Sequence, residues 1–236
     1  MLETPSPNYD GRPSGKSIEF LILHYTGMSS GAAALTRLCD PASKVSSHYL
    51  VEVDGTIFRL VADEHRAWHA GQSFWGGNYR LNDTSIGIEI VNPGHEFGLR
   101  PFADAQIKAV ISLSQHLIST YSIPHAHVLA HSDIAPRRKR DPGEFFPWEF
   151  LAAEGVGLWP DAISNRRQGQ RPSVIEAQRM LAKWGYSCPE TGALDQDTLA
   201  CISAFQRHYR QTQIDGVFDA DCAERLGSLL AMRQTR

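Results

Sequence analysis

No run of about 18 or more apolar residues occurs in the chain, so no transmembrane helix is expected. The opening MLETPSPNYDGRPSGK has neither a basic n-region nor an apolar h-region, and it does not read as a secretory signal. CxxC pairs are absent. The four cysteines, Cys39, Cys188, Cys201 and Cys222, are scattered and are expected to be buried or idle thiols. An HExxH helix is also missing, which argues against the commonest zinc-protease arrangement. Neither sign of charge dominates: 23 Lys and Arg face 26 Asp and Glu, a net charge of -3. General affinity for nucleic acid is therefore not expected, and the basic cluster Arg137, Arg138, Lys139 and Arg140 is a local feature.

What remains is an ordinary globular composition, 42% hydrophobic and 21% charged, over 236 residues. That length suits one medium domain plus a small one. SIEFLILHYT (17–26) is an apolar, β-rich run that suits a buried strand with His24 near its end. GAAALTRLCD (31–40) reads as a helix. SSHYLVEVDGTIFRLV (46–61) reads as a hairpin around Asp54-Gly55. SIGIEIVN (85–92) is a strand whose period of two puts Gly87, Glu89 and Val91 opposite Ile86, Ile88 and Ile90. The spacing in 104–121 predicts a helix with Ile107, Val110, Ile111, Leu113, Leu117 and Ile118 on its apolar face. HVLAHSD (127–133) reads as a short strand ending at His131. The interleaving predicts an α/β fold.

Residues 159–173 are rich in Pro, Gly, Asn, Gln and Arg and read as a linker. Three amphipathic helices are predicted after it, over 174–186, 195–210 and 219–232. TGALDQDTL and DGVFDADCA echo each other, with Asp195 and Asp219 as helix N-caps. This yields three parts: 1–158, a linker at 159–171, and a small three-helix domain at 172–236.

His24, Glu89 and His131 lie at or near predicted strand ends, where sites of α/β sheets form. If 139–141 is extended, Lys139 and Asp141 point the same way. Two histidines and one carboxylate are a common catalytic zinc set with a position left open for water. A nearby carboxylate could take the water's proton, and a lysine could stabilise an oxyanion. On pattern alone, Glu89 reads equally as one half of a structural ion pair. Lys139 reads equally as a solvated charge.

A resemblance weighs between these readings. SPNYDGRP, ILHYT, SSHYLVEVDG, WHAG, NDTSIGIEIVN and HSDIAPRRKRDPG occur in family order over roughly residues 6 to 155. This region resembles the zinc-dependent N-acetylmuramoyl-L-alanine amidases, the family that includes phage T7-type lysozyme and the peptidoglycan recognition proteins. The resemblance implies a mixed central β-sheet flanked by helices. It implies zinc held by His24, His131 and Asp141, Glu89 as general base and Lys139 at the oxyanion. His48 and Tyr49, in the hairpin, and Trp68 and His69, in WHAG, become candidates for contact with substrate. The loop at Trp75, Gly76 and Gly77 could shape the cleft with an aromatic face.

Residues 172 to 232 resemble the three-helix peptidoglycan-binding domain, with Cys222 where a threonine is usual. The implied substrate is peptidoglycan or a muropeptide, cut between N-acetylmuramic acid and L-alanine. The alternatives are a non-catalytic recognition protein of the same fold and a cytoplasmic amidase that recycles 1,6-anhydro-muropeptides. A wall-binding tail points to the cell envelope or periplasm; the unremarkable N-terminus points to the cytoplasm.

Overall fold

The computed structural model describes residues 1–161 and 171–234; of the linker reading at 159–171, positions 162–170 lie outside the described residues. In chain order the strands are β1 (Leu2–Glu3), β2 (Tyr9–Gly11), β3 (Phe20–Tyr25), β4 (Tyr49–Val51), β5 (Ile57–Arg59), β6 (His65–Ala67), β7 (Phe74–Trp75), β8 (Asn78–Tyr79), β9 (Ser85–Ile90) and β10 (Val128–Ala130). The helices are α1 (Gly31–Cys39), α2 (Gly94–Phe97), α3 (Asp104–Tyr121), α4 (His131–Ile134), α5 (Trp148–Ala153), α6 (Val174–Trp184), α7 (Gln196–Tyr209) and α8 (Ala220–Gln234).

Six strands form the central sheet in the order β1-β5-β4-β9-β3-β10. It is mixed: β3 runs parallel to β9 and β10, and β4 pairs antiparallel with β5 through the Asp54-Gly55 turn. Register decides what meets what. His24 on β3 lies opposite Glu89 on β9, and Leu23 lies opposite Ala130, so His131 enters beside His24. The alternation of β9 is kept. Ile86, Ile88 and Ile90 pack with Ile107, Val110, Ile111 and Leu117 of α3. Gly87 and Glu89 lie on the other face of the sheet, and Glu89 is near the carboxyl end of β9, where sites of such sheets form. One element differs from the sequence reading. β10 stops at Ala130, and His131 is the first residue of a helical turn, α4, instead of the end of a strand.

The three C-terminal helices use the doubled sequence phrase twice over. Gln178 of α6 clasps the first Gly-containing loop: its Oε1 accepts from the Gly192 N–H at 2.8 Å and its Nε2 donates to the Ala193 carbonyl at 2.9 Å. Gln206 of α7 does the same to Gly216 and Val217 at 2.9 and 3.0 Å. Asp195 and Asp219 cap the next helices by accepting from Thr198 and Cys222 N–H groups, so the cysteine at 222 leaves the cap intact.

This helical unit shares a core with the sheet. Phe20, Ile22 and Leu129 belong to one buried cluster with Leu181, Trp184, Tyr186, Phe205 and Tyr209. Trp75 is also there, 2% exposed, with its ring 4.9 Å from that of Tyr186. The expectation that the Trp75 loop lines the cleft is therefore corrected. Its indole is spent on the seam, where Gly185 leaves room for it; a Cβ at Gly185 would sit 2.5 Å from Trp75 Cε2. All four cysteines are free, as expected. Gly185→Ala should cost about 1–3 kcal/mol by overpacking this seam, read as a lower urea midpoint at unchanged m-value; an unchanged midpoint would contradict the fit described.

Candidate metal centre and active site

His24 ends the buried part of β3, His131 opens α4, and Asp141 returns at the end of the loop that follows. Their side chains converge. His24 Nδ1 lies 2.9 Å from His131 Nδ1 and 3.1 Å from Asp141 Oδ2, and His131 Nδ1 lies 2.9 Å from Asp141 Oδ2. All three residues are buried, at 1%, 3% and 5% exposure.

The surrounding hydrogen bonds assign the protons. Ser85 Oγ donates its single proton to the Leu81 carbonyl at 2.6 Å. It can then only accept from His69 Nε2, 3.1 Å away. His69 Nδ1 is left bare and accepts from His24 Nε2 at 3.0 Å, which leaves His24 Nδ1 bare. His131 Nε2 donates to the Ala70 carbonyl at 3.2 Å, so its Nδ1 is bare as well. Asn82 Oδ1 fixes that carbonyl's loop by accepting from the N–H groups of His69 and Ala70. Two imidazole lone pairs and a carboxylate oxygen thus point at one spot, as ligands whose outer nitrogens are held by a second layer of hydrogen bonds do. The set fits zinc: two nitrogens and one oxygen, with the remaining side open to the cleft.

Electrostatics support a neutral His24. Burial, then repulsion between the two neighbouring imidazoles, brings His24 down to about 4. Burial and the charge of Asp141 push Glu89 well above the usual carboxylate value. Its Oε2 is buried with no hydrogen-bond partner.

The cleft has a volume of about 580 Å³, and Glu89, Lys139, His131 and Asp141 line it with Tyr25 and Trp68. Trp68 is held by its indole N–H, which donates to Asp10 Oδ2 at 2.9 Å. His69 reaches the cleft edge, but both its nitrogens are engaged between His24 and Ser85. His48 and Tyr49 do not line the cleft, contrary to the expectation for them. The His48 ring is fully buried, with Nδ1 accepting from the Gly87 N–H at 3.0 Å. Tyr49 points to the α3 face and donates to Asp63 at 2.7 Å. Sequence reasoning missed Ser85 and the role of Gly87. A glycine inside a strand was the available signal: a Cβ there would lie 2.5 Å from the His69 ring.

Comparison with known proteins decides the family. The N-acetylmuramoyl-L-alanine amidase family matches residues 14–144. The chain belongs to that family. It is an amidase of the bond between N-acetylmuramic acid and L-alanine. A peptidoglycan binding domain family matches residues 170–226. The N-acetylmuramoyl-L-alanine amidase AmiD of Escherichia coli is 40% identical over 225 residues, which is 86% of this chain and 79% of AmiD. The 1,6-anhydro-N-acetylmuramyl-L-alanine amidase AmpD of E. coli is 35% identical over 161 residues, 61% of this chain and 86% of AmpD. Among solved structures, AmiD in complex with anhydro-N-acetylmuramic acid-L-Ala-D-gamma-Glu-L-Lys superposes with a TM-score of 0.83 at 37% identity, covering 93% of this chain and 92% of that one. AmpDh3 of Pseudomonas aeruginosa has a TM-score of 0.82 at 35% identity, covering 99% and 100%. Among the described residues, the amidase has no helix long and apolar enough to cross a membrane.

The buried imidazoles make its stability depend on pH. Burial is the first cause that keeps His24, His48 and His69 neutral when folded. Unfolded, each binds a proton below about 6.5, so acidification favours the unfolded chain. Glu89 acts in the opposite sense, because burial and Asp141 raise its pKa on folding. His24 and His48, held to about 4 and about 3 when folded, set the sign: the metal-free amidase should lose stability as pH falls from about 6 to 5. Urea midpoints across that window check this, and a flat profile would contradict neutral burial.

Proposed function

We propose that the amidase works with zinc bound by His24 Nδ1, His131 Nδ1 and Asp141 Oδ2. The observation that carries this is the convergence of three proton-free donors beside Glu89, whose Oε2 is buried without a hydrogen-bond partner. Zinc in that position supplies Lewis acidity toward a water and the scissile carbonyl. Glu89 takes the water's proton as its oxygen attacks the carbonyl carbon, and its raised proton affinity suits it to that task. The same proton passes to the L-alanine nitrogen as the C–N bond breaks. Lys139 is one of the residues that line the cleft, and its ammonium would stabilise the charge developing on the carbonyl oxygen. Trp68 contacts substrate, His69 orients His24, and His48 and Tyr49 serve packing.

Residues 1–158 form the catalytic part and 172–236 the wall-binding part. The substrate is a muropeptide of the kind named in the AmiD and AmpDh3 complexes, an anhydromuramic acid bearing a stem peptide. Wall polymer is a second substrate form. Binding of the helical unit to the wall raises the local concentration of scissile bonds and favours action in the cell envelope.

Product mass spectrometry and metal analysis on variants test the assignment. Glu89→Gln should keep a full equivalent of zinc and lose turnover by about 10²–10⁴-fold. Asp141→Ala should lose zinc and activity together. Full turnover in Glu89→Gln, or zinc retained in Asp141→Ala, would remove the role given to that residue. Free stem peptides starting with L-Ala, abolished by chelator and restored by zinc, are the expected product.

A further inference from the structure

α4 is one helical turn that begins on His131 and contains Asp133. Asp133 is wholly buried. Its Oδ2 accepts from the Ala130 N–H at 2.8 Å, which closes the turn in front of His131. The carboxylate's other strong partners come from the helical unit. Tyr186, just after α6, donates its hydroxyl to Asp133 Oδ1 at 2.6 Å. His208 of α7 donates from Nδ1 to Oδ2 at 2.7 Å. Both donors are 1% exposed. The His208 ring is clamped between Trp148 and Tyr209, with centroids 3.7 and 3.9 Å away, so its N–H has one direction to point.

A buried carboxylate is tolerated only when its oxygens are paired, and removal of a partner leaves an uncompensated charge. Asp133 cannot stay where it is without Tyr186 and His208. What moves with Asp133 matters for the metal. His131 lies two residues before it on the same turn. The Ser132 N–H, between them, donates to the Asp141 carbonyl at 3.0 Å. Two of the three metal ligands are thus tied to one turn whose buried charge is satisfied from the other part of the chain.

We propose that the helical unit is a working part of the metal centre as well as a wall-binding module. Tyr186 and His208 are positioning residues that act through Asp133 on His131 and Asp141. The proposal rests on the zinc assignment made above. It gives the seam a purpose that wall binding does not need, since a module that only tethers requires no contact with the ligand-bearing turn.

The test uses the full-length, zinc-loaded protein and follows zinc loss to an excess of chelator, a readout independent of turnover. Tyr186→Phe and His208→Ala should each speed zinc loss about tenfold or more, in the range seen when ligand-supporting contacts are removed. Their kcat should fall with KM nearly unchanged. His208→Asn, which keeps an N–H near the Nδ1 position, should recover part of both. Leu226→Ala, in the core of the helical unit, should lower the unfolding midpoint but leave zinc loss and kcat at wild-type values. Folded Tyr186→Phe and His208→Ala with wild-type zinc loss would overturn the proposal. So would Leu226→Ala speeding zinc loss as much as they do. A wild-type chain that takes up no zinc would overturn the metal assignment itself, and this proposal with it.

Discussion

Three electron-pair donors without a proton to share are held within 3.1 Å of one another, and the rest of the fold answers to that constraint. Left alone, such a cluster is repulsive and poorly hydrated. A bound divalent cation would turn the same geometry into a favourable one. The scaffold meets the cost in advance. In-register parallel pairing of β3 with β9 and β10 puts His24, Glu89 and His131 at neighbouring strand ends. The outer nitrogens of both imidazoles are then tied to the WHAG segment, through His69 and the Ala70 carbonyl. A motif that looks like a substrate-contact loop in the sequence is largely a clamp on the ligands.

Glu89 depends on the same arrangement. Its register places it beside His24, and its burial near Asp141 leaves one oxygen with no partner. A merely structural carboxylate at a strand end would be paired. The unpaired buried oxygen on a residue that lines the cleft favours the proposed catalytic role of Glu89 over the ion-pair reading that the sequence left open. The family relationship then supplies the reaction, and the geometry supplies the reason these residues suit it.

Much of this was legible beforehand. The helix over 104–121 and the face of β9 that carries Glu89 follow from periodicity, a local property. The caps at Asp195 and Asp219 follow from turn chemistry. The illegible parts depend on partners distant in sequence. Nothing in SSHYLVEVDG reveals that Tyr49 points to α3 and His48 lies under Gly87, because alternation gives two faces without saying which is the cleft. Trp75 looked like a cleft aromatic because its partner, the bare Cα of Gly185, lies 110 positions away. Asp133 in HSDIAP was overlooked for the same reason: its donors sit on α7 and at the end of α6.

Zinc K-edge X-ray absorption on the zinc-loaded protein addresses the central claim most directly. The account predicts four light donors at about 2.0–2.1 Å, with multiple scattering from two imidazole rings. A sulfur shell near about 2.3 Å, or fewer than two imidazoles, would contradict a centre built on His24, His131 and Asp141.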